Sequence, residues 1–559
     1  MLTLNQINRI PDPQTRQIVQ NLANLLEQSL TDIDLLKQQN QLLQDEINRL
    51  KGEQGKPNIK PNKQNKHNPD NPDNPDTQDN TDHSSEKKRH QPKLWSKDTK
   101  NDKIVIHRTQ RLSLDTATLP PDAIFKGYEP VIVQNLLLTL ENVCFERAKY
   151  YAPSTAKTYL APLPPGYHTH YGPDLKALVL GLHHLGNVSQ PALHTFLTQT
   201  GIHISAGQVS NLLVEGQEDF HQEKGAIGLA GLESSPWQQT DDTTTRVNGV
   251  NHHCHVLGNP LYTRYTTLPK KDRLSVLEVL TNGAERRFLL TAQGLASEAV
   301  SKMPRKWQRV LATFPQDILF SEEVLLEWLD TQMPTLAPLK RKGLLEQMAL
   351  AAYGAQTQVP RVSLLLCDDA PQFRGLTPEL ALCWVHDARH YQKLLPHLRC
   401  HRECLEAFQD KYWDYYDRLL AYREAPSLEE GHVLWEAFDR LFVANTGYAH
   451  LDYRIQQTAH HKAQLLRVLL HPEIPLHNNA SELAVRRRVR KRDVSFGPRS
   501  PEGVAAWDTF QTIGATAQKL GVSFLAYLKD RVSGSKQMPS LASLITQRAA
   551  ELNLGASWT

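Results

Sequence analysis

Apolar positions along the chain change their period several times, and each change marks an element. Leu22, Leu26, Ser29, Ile33, Leu36, Asn40, Leu43, Ile47 and Leu50 alternate spacings of four and three. That is a coiled-coil seam, with Asn40 at an a position where it favours a parallel two-stranded register. Residues 1–51 are therefore expected to pair two copies of the chain; the competing reading is an amphipathic helix docked on its own protein. Over 52–103 the pattern is lost. Gly, Pro, Asn, Asp and Lys dominate, and Asn-Pro-Asp recurs over Asn68–Asp76. Such a segment cannot bury enough apolar surface to offset its chain entropy, and it reads as a disordered linker.

Periodicity returns over 104–230, read as a helical, DNA-binding domain. Apolar runs occupy Val131–Leu140 and Leu175–Leu185. A helix-turn-helix pattern follows: Gln190–Thr200, a turn through Gly201 and His203, then Ala206–Glu215 with Ser205 as N-cap. In a DNA-reading version Gln208, Ser210 and Asn211 meet base edges; two helices packed without DNA is the other reading. Trp237–Val247, His252–Leu257 and Leu261–Leu268 then alternate as strands, turned at Asn248–Gly249 and at Gly258–Asn259–Pro260. A helix is expected over Asp272–Leu280 and mostly helix over 283–350. Val362–Cys367 and Ala381–Val385 read as short strands. Helical spacing continues from Ala388 to Leu470 and over Ala480–Arg492, Val504–Leu520 and Phe524–Val532. The pattern predicts an α/β domain over 231–515 with a helical insertion at about 388–470, and a helical tail over 516–559.

Net charge adds little, because 63 Lys and Arg face 60 Asp and Glu. Local charge says more. Arg486, Arg487, Arg488, Arg490, Lys491 and Arg492 place six cations in seven residues. Like charges so close repel one another unless a polyanion neutralises them, and DNA phosphates would do so. Six cysteines without a CxxC pair fit free thiols in a reducing compartment. Cys400 and Cys404 beside His397 and His401 could form a zinc cluster, but one helix face with small buried residues explains the spacing better. No basic segment leads into an apolar one at the N-terminus, and no apolar run reaches the length of a membrane span. A soluble, cytoplasmic protein without a membrane partner is expected.

Three acids stand out by context. Asp241 lies in QTDDT near a strand end, Asp368 in LLLCDD closes a buried run, and Glu482 in NNASELAVRRR sits in a late helix. Each has a bland reading: Asp241 or Asp242 bonding to Thr243, Asp368 or Asp369 starting a turn, Glu482 pairing with Arg486. As a strand–strand–helix trio they suggest a carboxylate cage for Mg²⁺ or Mn²⁺, since hard ions take oxygen ligands.

These blocks resemble the transposases of insertion-sequence family 66, a bacterial DDE group. NNASELAVR (478–486) is similar to that family's block around its last catalytic acid, and LCWVHDAR (382–389) to the Cys-Trp-Ala-His block. CDDAPQF (367–373) and TDDT (240–243) are similar to the blocks carrying the first two acids. The leading coiled coil and GVSFLAYLKD (521–530) also look like family features. The resemblance implies an RNase H-like α/β core with a helical insertion, preceded by a helical domain and a coiled coil. It implies that Asp241, Asp368 and Glu482 are catalytic and hold Mg²⁺ or Mn²⁺. His386, Arg389, Asn478 and Asn479 would support them, and the basic run would contact DNA. The implied activity is DNA end cleavage and strand transfer on double-stranded DNA, by a homodimer with possible small accessory proteins, at the bacterial nucleoid. A catalytically inactive, transposase-derived DNA-binding protein is the alternative. The chain departs from the family at Ala388, at His477 and in lacking its upstream Cys/His block. The first two acids lie 368 − 241 = 127 residues apart, longer than the family core leads one to expect. Both Asp blocks are doubled, so Asp242 and Asp369 remain rivals.

Overall fold

The computed structural model describes residues 3–50 and 104–558, except 115–119, 121, 122, 124, 130, 168 and 169, and without the side chains of 48–50. The expected linker lies outside the described residues, as does the Leu50 side chain of the seam.

Two compact units divide the chain, residues 65–146 and residues 1–64 with 147–559. In the first, the described residues form neither helix nor strand, and Val131, Leu136 and Leu137 are exposed. The helical domain expected from 104 therefore begins only at Pro173. The run over 131–140 is apolar on every side, and such a run forms a stable helix only inside a core.

In the second unit the helices α1 (Leu4–Asn8) and α2 (Pro13–Leu50) precede a hairpin of β1 (Lys149–Ala152) and β2 (Lys157–Leu160). Helices α3 (Pro173–His184), α4 (Gln190–Gln199), α5 (Ala206–Val214) and α6 (Glu218–Glu233) follow. Three long strands come next, β3 (Trp237–Val247), β4 (Val250–Asn259) and β5 (Tyr262–Leu268). Helix α7 (Arg273–Leu280) opens a helical stretch interrupted by a small hairpin, β6 (Arg287–Leu289) with β7 (Leu319–Ser321). Between the two lie α8 (Ala292–Leu295), α9 (Glu298–Ser301) and α10 (Arg305–Leu311), and after them α11 (Glu322–Gln332) and α12 (Pro338–Ala355). Strands β8 (Leu364–Cys367) and β9 (Glu379–Leu382) return to the main sheet, and α13 (Trp384–Gln392) leaves it. The second strand is thus shorter than Ala381–Val385, because Trp384 already begins a helix. Helices α14 (Arg399–Glu424), α15 (Leu428–Leu441), α16 (Ala449–His460) and α17 (Lys462–Leu465) form the insertion. The chain closes with α18 (Asn479–Ser495), α19 (Pro501–Lys519), α20 (Phe524–Val532) and α21 (Leu541–Leu552).

The architecture is mixed α/β around a five-stranded sheet of order β5-β4-β3-β8-β9. β3, β4 and β5 are an antiparallel meander, whereas β8 and β9 run parallel to β3. Asn248 and Gly249 both have positive φ, 48° and 80°, the two-residue turn that the Asn-Gly pair specifies. One core joins the sheet to α7–α12 and to the inserted helices, with Trp384, Tyr412, Tyr415 and Phe438 among its rings. A second joins α3–α6 to α19–α21 through Leu180, Leu197, Phe220, Phe510, Tyr527 and Ile545. The tail expected as a separate segment from 516 is therefore one body with the helices before the sheet. Each set has an apolar stripe that the other covers.

Helix α2 uses two sides differently. Ala23 and Glu27 are buried, Glu27 to 1 % exposure, against α14 and the turn before α16. Glu27 accepts hydrogen bonds from the backbone N–H groups of His397 (2.5 Å) and Leu398 (3.0 Å) and lies 3.0 Å from His401 Nδ1. Those amides open α14, so a carboxylate meets the positive end of a helix. Asn24 bonds Gly447 and Ala449 on the same side. At about 100° per residue the seam through Leu22, Leu26, Ile33, Leu36 and Leu43 lies on the opposite side, and all five are exposed. Cys400 and Cys404 are buried on α14, and His401 bonds Glu27 instead of joining them in a metal cluster. No helix among the described residues is long and apolar enough to cross a membrane.

Candidate carboxylate site

Strand register brings the first two acids together. Trp237 pairs with Leu364, Gln238 with Leu365 and Gln239 with Leu366, an offset of 364 − 237 = 127. Continuing that offset by two residues sets Asp368 level with Asp241. The long spacing between the acids is thus the register of two adjacent parallel strands, which lie about 4.8 Å apart. Asp368 leaves the carboxyl end of β8, the edge where sheets of this kind present ligand groups. Asp241, expected near a strand end, instead lies mid-strand in β3, just past its stretch paired with β8, because the β4 ladder carries β3 on to Val247.

Glu482 arrives from α18. The helix start is fixed by Asn478, whose Nδ2 donates to Thr240 O (2.7 Å) and whose backbone N–H donates to Cys383 Sγ (3.2 Å). Further along, Tyr265 donates its hydroxyl to Ala484 O (3.0 Å). Glu482, one turn into the helix, is thereby held over β3. Asp241 feels the other two acids. Burial, and then the charges of Asp368, Asp242 and Glu482, push the Asp241 carboxyl up to about 7, although the Asp242 amide bonds it.

The rival acids have partners. Alternation along β3 turns Asp242 to the other face. There Lys271 Nζ lies 2.6 Å away and Gln372 donates to it at 2.9 Å. Asp369 is held by Arg374 (2.7 Å) and lies 3.3 Å from His461 Nε2. Among the described residues, Asp241 and Asp368 carry no cationic partner.

Glu482 does carry one. Arg389 Nη2 donates to its Oε2 at 2.8 Å, and Arg486 lies 3.8 Å from the same oxygen. Arg389 Nη1 is 3.0 Å from His386 Nε2. A guanidinium can only donate, so Nε2 accepts and Nδ1 carries the proton. Nδ1 points toward Glu482 Oε1 at 3.6 Å, too far for a hydrogen bond, and Glu482 Oε1 is buried without a partner. Burial holds His386 below its usual range, against the pull of Glu482. Cys383, which sequence reasoning missed, completes a second group: donor atoms of Cys383, His386 and Glu482 lie within 4.8 Å of one another. Its signals were its place one residue after β9 and at the head of the Cys-Trp-Ala-His-like block. Burial pushes this thiol up to about 11. Asn479 is the first residue of α18 and is half-buried.

The basic run is not one surface. Arg488 and Lys491 are 0 % exposed. Arg488 pairs with Asp508 of α19 and stacks between Tyr265 and Trp507. Lys491 donates to His183 O (2.8 Å), and burial pushes it down to about 7. These two were expected to contact DNA and cannot, because a helix clamped between a sheet and α19 must bury one side. Arg487 and Arg490 are exposed, and Arg486 and Arg492 half-buried. Arg487 bonds Gln518, and Arg492 bonds the backbone carbonyl of Thr244. Gln208 and Asn211 lie on α5, in the second core, with Gln208 exposed and Asn211 half-buried.

Fold and site together define a mixed α/β protein with two level acids on adjacent central strands and a third, Glu482, on a half-buried, half-exposed basic helix packed over β3. The close donor cluster among the described residues joins Glu482 to Cys383 and His386 and not to the two Asp. No family model matches the chain, and no solved structure matches it. Over 331 residues it is 32 % identical to the uncharacterized protein y4jO of Sinorhizobium fredii, across 57 % of this chain and 99 % of that protein. The chain belongs to the same family as y4jO.

Proposed function

We propose that the protein is a DNA transposase that cuts element ends and joins them to target DNA at Asp241, Asp368 and Glu482. The observation that carries this reading is the 127-residue register. It levels two acids without cationic partners beside a third, while each doubled neighbour is engaged elsewhere. The strand order, a three-stranded meander extended from its first strand by two parallel strands, supports an RNase H-like core.

The donor set fits a hard divalent cation. Asp241 and Asp368 offer carboxylate oxygens, and Glu482 Oε1 is buried and unpartnered. Cys383 suits such an ion poorly, since its thiol stays protonated and accepts from Asn478. Bound there, Mg²⁺ or Mn²⁺ would supply charge stabilisation and an acidified water. Arg389 holds the Glu482 carboxylate in place, and His386 orients Arg389. Arg487 and Arg490 face outward, where DNA phosphates would neutralise them. In the first reaction a water oxygen attacks phosphorus, the P–O3′ bond breaks and the 3′ oxygen takes the proton. In the second that 3′-OH attacks a target phosphodiester, and the target 3′ oxygen leaves with the proton. Positioning and electrostatics carry most of such a reaction. The free seam of α2 would pair two copies so that two ends are held together.

The test is Mg²⁺- or Mn²⁺-dependent cleavage of DNA carrying the inverted repeats that flank the gene. Wild type and Asp369→Asn should cleave, whereas Glu482→Gln and Asp368→Asn should bind without cleaving. Cleavage by Glu482→Gln at the wild-type rate would refute the assignment.

A further inference from the structure

The turn after α18 holds a side chain that the fold does not use. Phe496 caps the helix in the left-handed region, at φ 60° and ψ −1°, with its amide bonded to Arg492 O (2.7 Å). Glycine is usual at such a cap, because a Cβ is strained there. A bulky residue is normally tolerated only when its side chain is buried in return. Phe496 is instead 85 % exposed, and among the described residues its ring has no aromatic or cationic partner. Strain kept without packing points to a contact outside the chain.

The turn is rigidly placed. A Cβ on Gly497, the next residue, would lie 2.4 Å from Arg246 O, so that the backbone lies flat on β3. Asn248, in the β3–β4 turn, donates to Pro498 O at 3.0 Å. Arg246, whose carbonyl meets Gly497, and Arg499 flank the turn, and Arg490 lies six residues back on α18; all three are exposed and without an acidic partner among the described residues. Asp493, on the last turn of α18, lies 3.6 Å from Arg492. An exposed ring among unneutralised arginines matches what single-stranded or unpaired nucleic acid requires: a stacking surface with cations for its phosphates. Glu482 and Phe496 are joined by 496 − 482 = 14 residues of α18. At about 1.5 Å per residue that is roughly 21 Å, or about six nucleotide steps of 3.4 Å.

We propose that Phe496 stacks on an unpaired base of the bound DNA, about six nucleotides from the phosphodiester held at the carboxylates. This rests on the transposase reading, since it takes DNA as the substrate. The base leaves the duplex stack and lies on the ring, and Arg246 and Arg499 hold the flanking phosphates. Phe496 is a positioning residue: it fixes the register of the DNA end relative to Glu482.

The test uses full-length protein without divalent metal and short duplexes ending in a 3′-OH, with 2-aminopurine at successive positions inward. Wild type and Phe496→Tyr should raise fluorescence several-fold at one position, near the sixth. Phe496→Ala should lose that rise and bind a duplex unpaired there roughly 5- to 100-fold more weakly, with unchanged affinity for fully paired DNA. Phe496→Gly should also lose the rise while melting no lower than wild type, which a structural role would not allow. An equal rise in Phe496→Ala, or no rise in wild type that binds DNA, overturns the stacking and leaves the transposase reading standing. Failure of wild type to bind any duplex overturns both.

Discussion

Replacing Asp508 by Asn tests whether half of the basic run is structural. Asp508 is buried on α19 and accepts from Thr267 N (2.7 Å) and Thr267 Oγ1 (2.8 Å). It also pairs with Arg488, and Lys224 Nζ lies 3.9 Å away. Burial opposes its charge, but Arg488, Lys224 and Thr267 together hold its carboxyl below the usual range. Asn keeps the shape and loses the charge. Arg488, which has no exposure, would then be an uncompensated buried cation with Nε and Nη1 already lacking partners. Breaking such a pair on one side costs ~3–5 kcal/mol, a large part of a typical folding free energy. Removing both charges with residues of similar volume should be far milder, so Arg488→Met with Asp508→Leu should regain most of the loss. Thermal melts of wild type, Arg488→Met, Asp508→Leu and the double variant give the cycle, with Asp508→Asn beside them, and DNA titrations against salt give a second readout. The double variant should keep the wild-type salt slope, whereas Arg490→Ala should lower it by about one. A single substitution costing less than ~1 kcal/mol, or a double variant with a reduced slope, would refute the argument.

Three further outcomes can be checked. Burial and the charge of Lys491 hold His183 down to about 3 and His184 well below its ordinary range. With the folded pKa depressed, the unfolded chain binds these protons first. Stability is therefore full above pH ~6.5 and falls as pH drops toward 3, by up to ~5 kcal/mol for His183 alone. Melts from pH 7.5 to 4.5 should show that slope, and His184→Phe, stacked on Phe510, should flatten it; an unchanged slope would show that the histidines are not its source. Glu27→Ala removes the acceptor for two amides and His401, so hydrogen exchange in the first half of α2 should quicken by at least about tenfold while cleavage chemistry is unaffected. Ile33→Asp with Leu36→Asp should turn a dimer into a monomer by sedimentation without lowering the melting temperature of the body, since both side chains are exposed.

What the sequence revealed, and what it hid, divides along a physical line. Strands β3 and β8, the Asn-Gly turn and the helical insertion were legible because local period and turn chemistry specify them. The extent of the helical domain was not, since an apolar run such as Val131–Leu140 reads the same whether or not a core surrounds it. Nor was the union of α3–α6 with α19–α21, because which apolar stripes meet across hundreds of residues leaves no local mark. The doubled acids show the same limit at finer scale. TDDT and CDD cannot say which carboxylate is engaged, since Lys271, Gln372, Arg374 and His461 reach Asp242 and Asp369 only after folding.

Six cations in seven residues read as a single polyanion surface because repulsion was counted along the chain alone. A helix packed on a sheet has an inner side, and at about 100° per residue Arg488 and Lys491 fall together on it. Their repulsion is answered from within the protein, by Asp508 for one and, for the other, by a backbone carbonyl and a proton affinity lowered to near neutrality. The outer residues are answered unevenly: Arg492 reaches the Thr244 carbonyl and Asp493, and Arg487 reaches Gln518, but Arg490 has no acid among the described residues and Arg486 reaches only the shared Glu482. Unneutralised charge therefore begins beside Glu482 and runs along α18 to the turn that exposes Phe496. A ligand satisfying that stripe must be anionic and extended and begin beside Glu482, as the proposed DNA substrate would. A compact anion bound at one end would leave the other arginines repelling one another, so the salt slope of binding measures how much of the stripe is used.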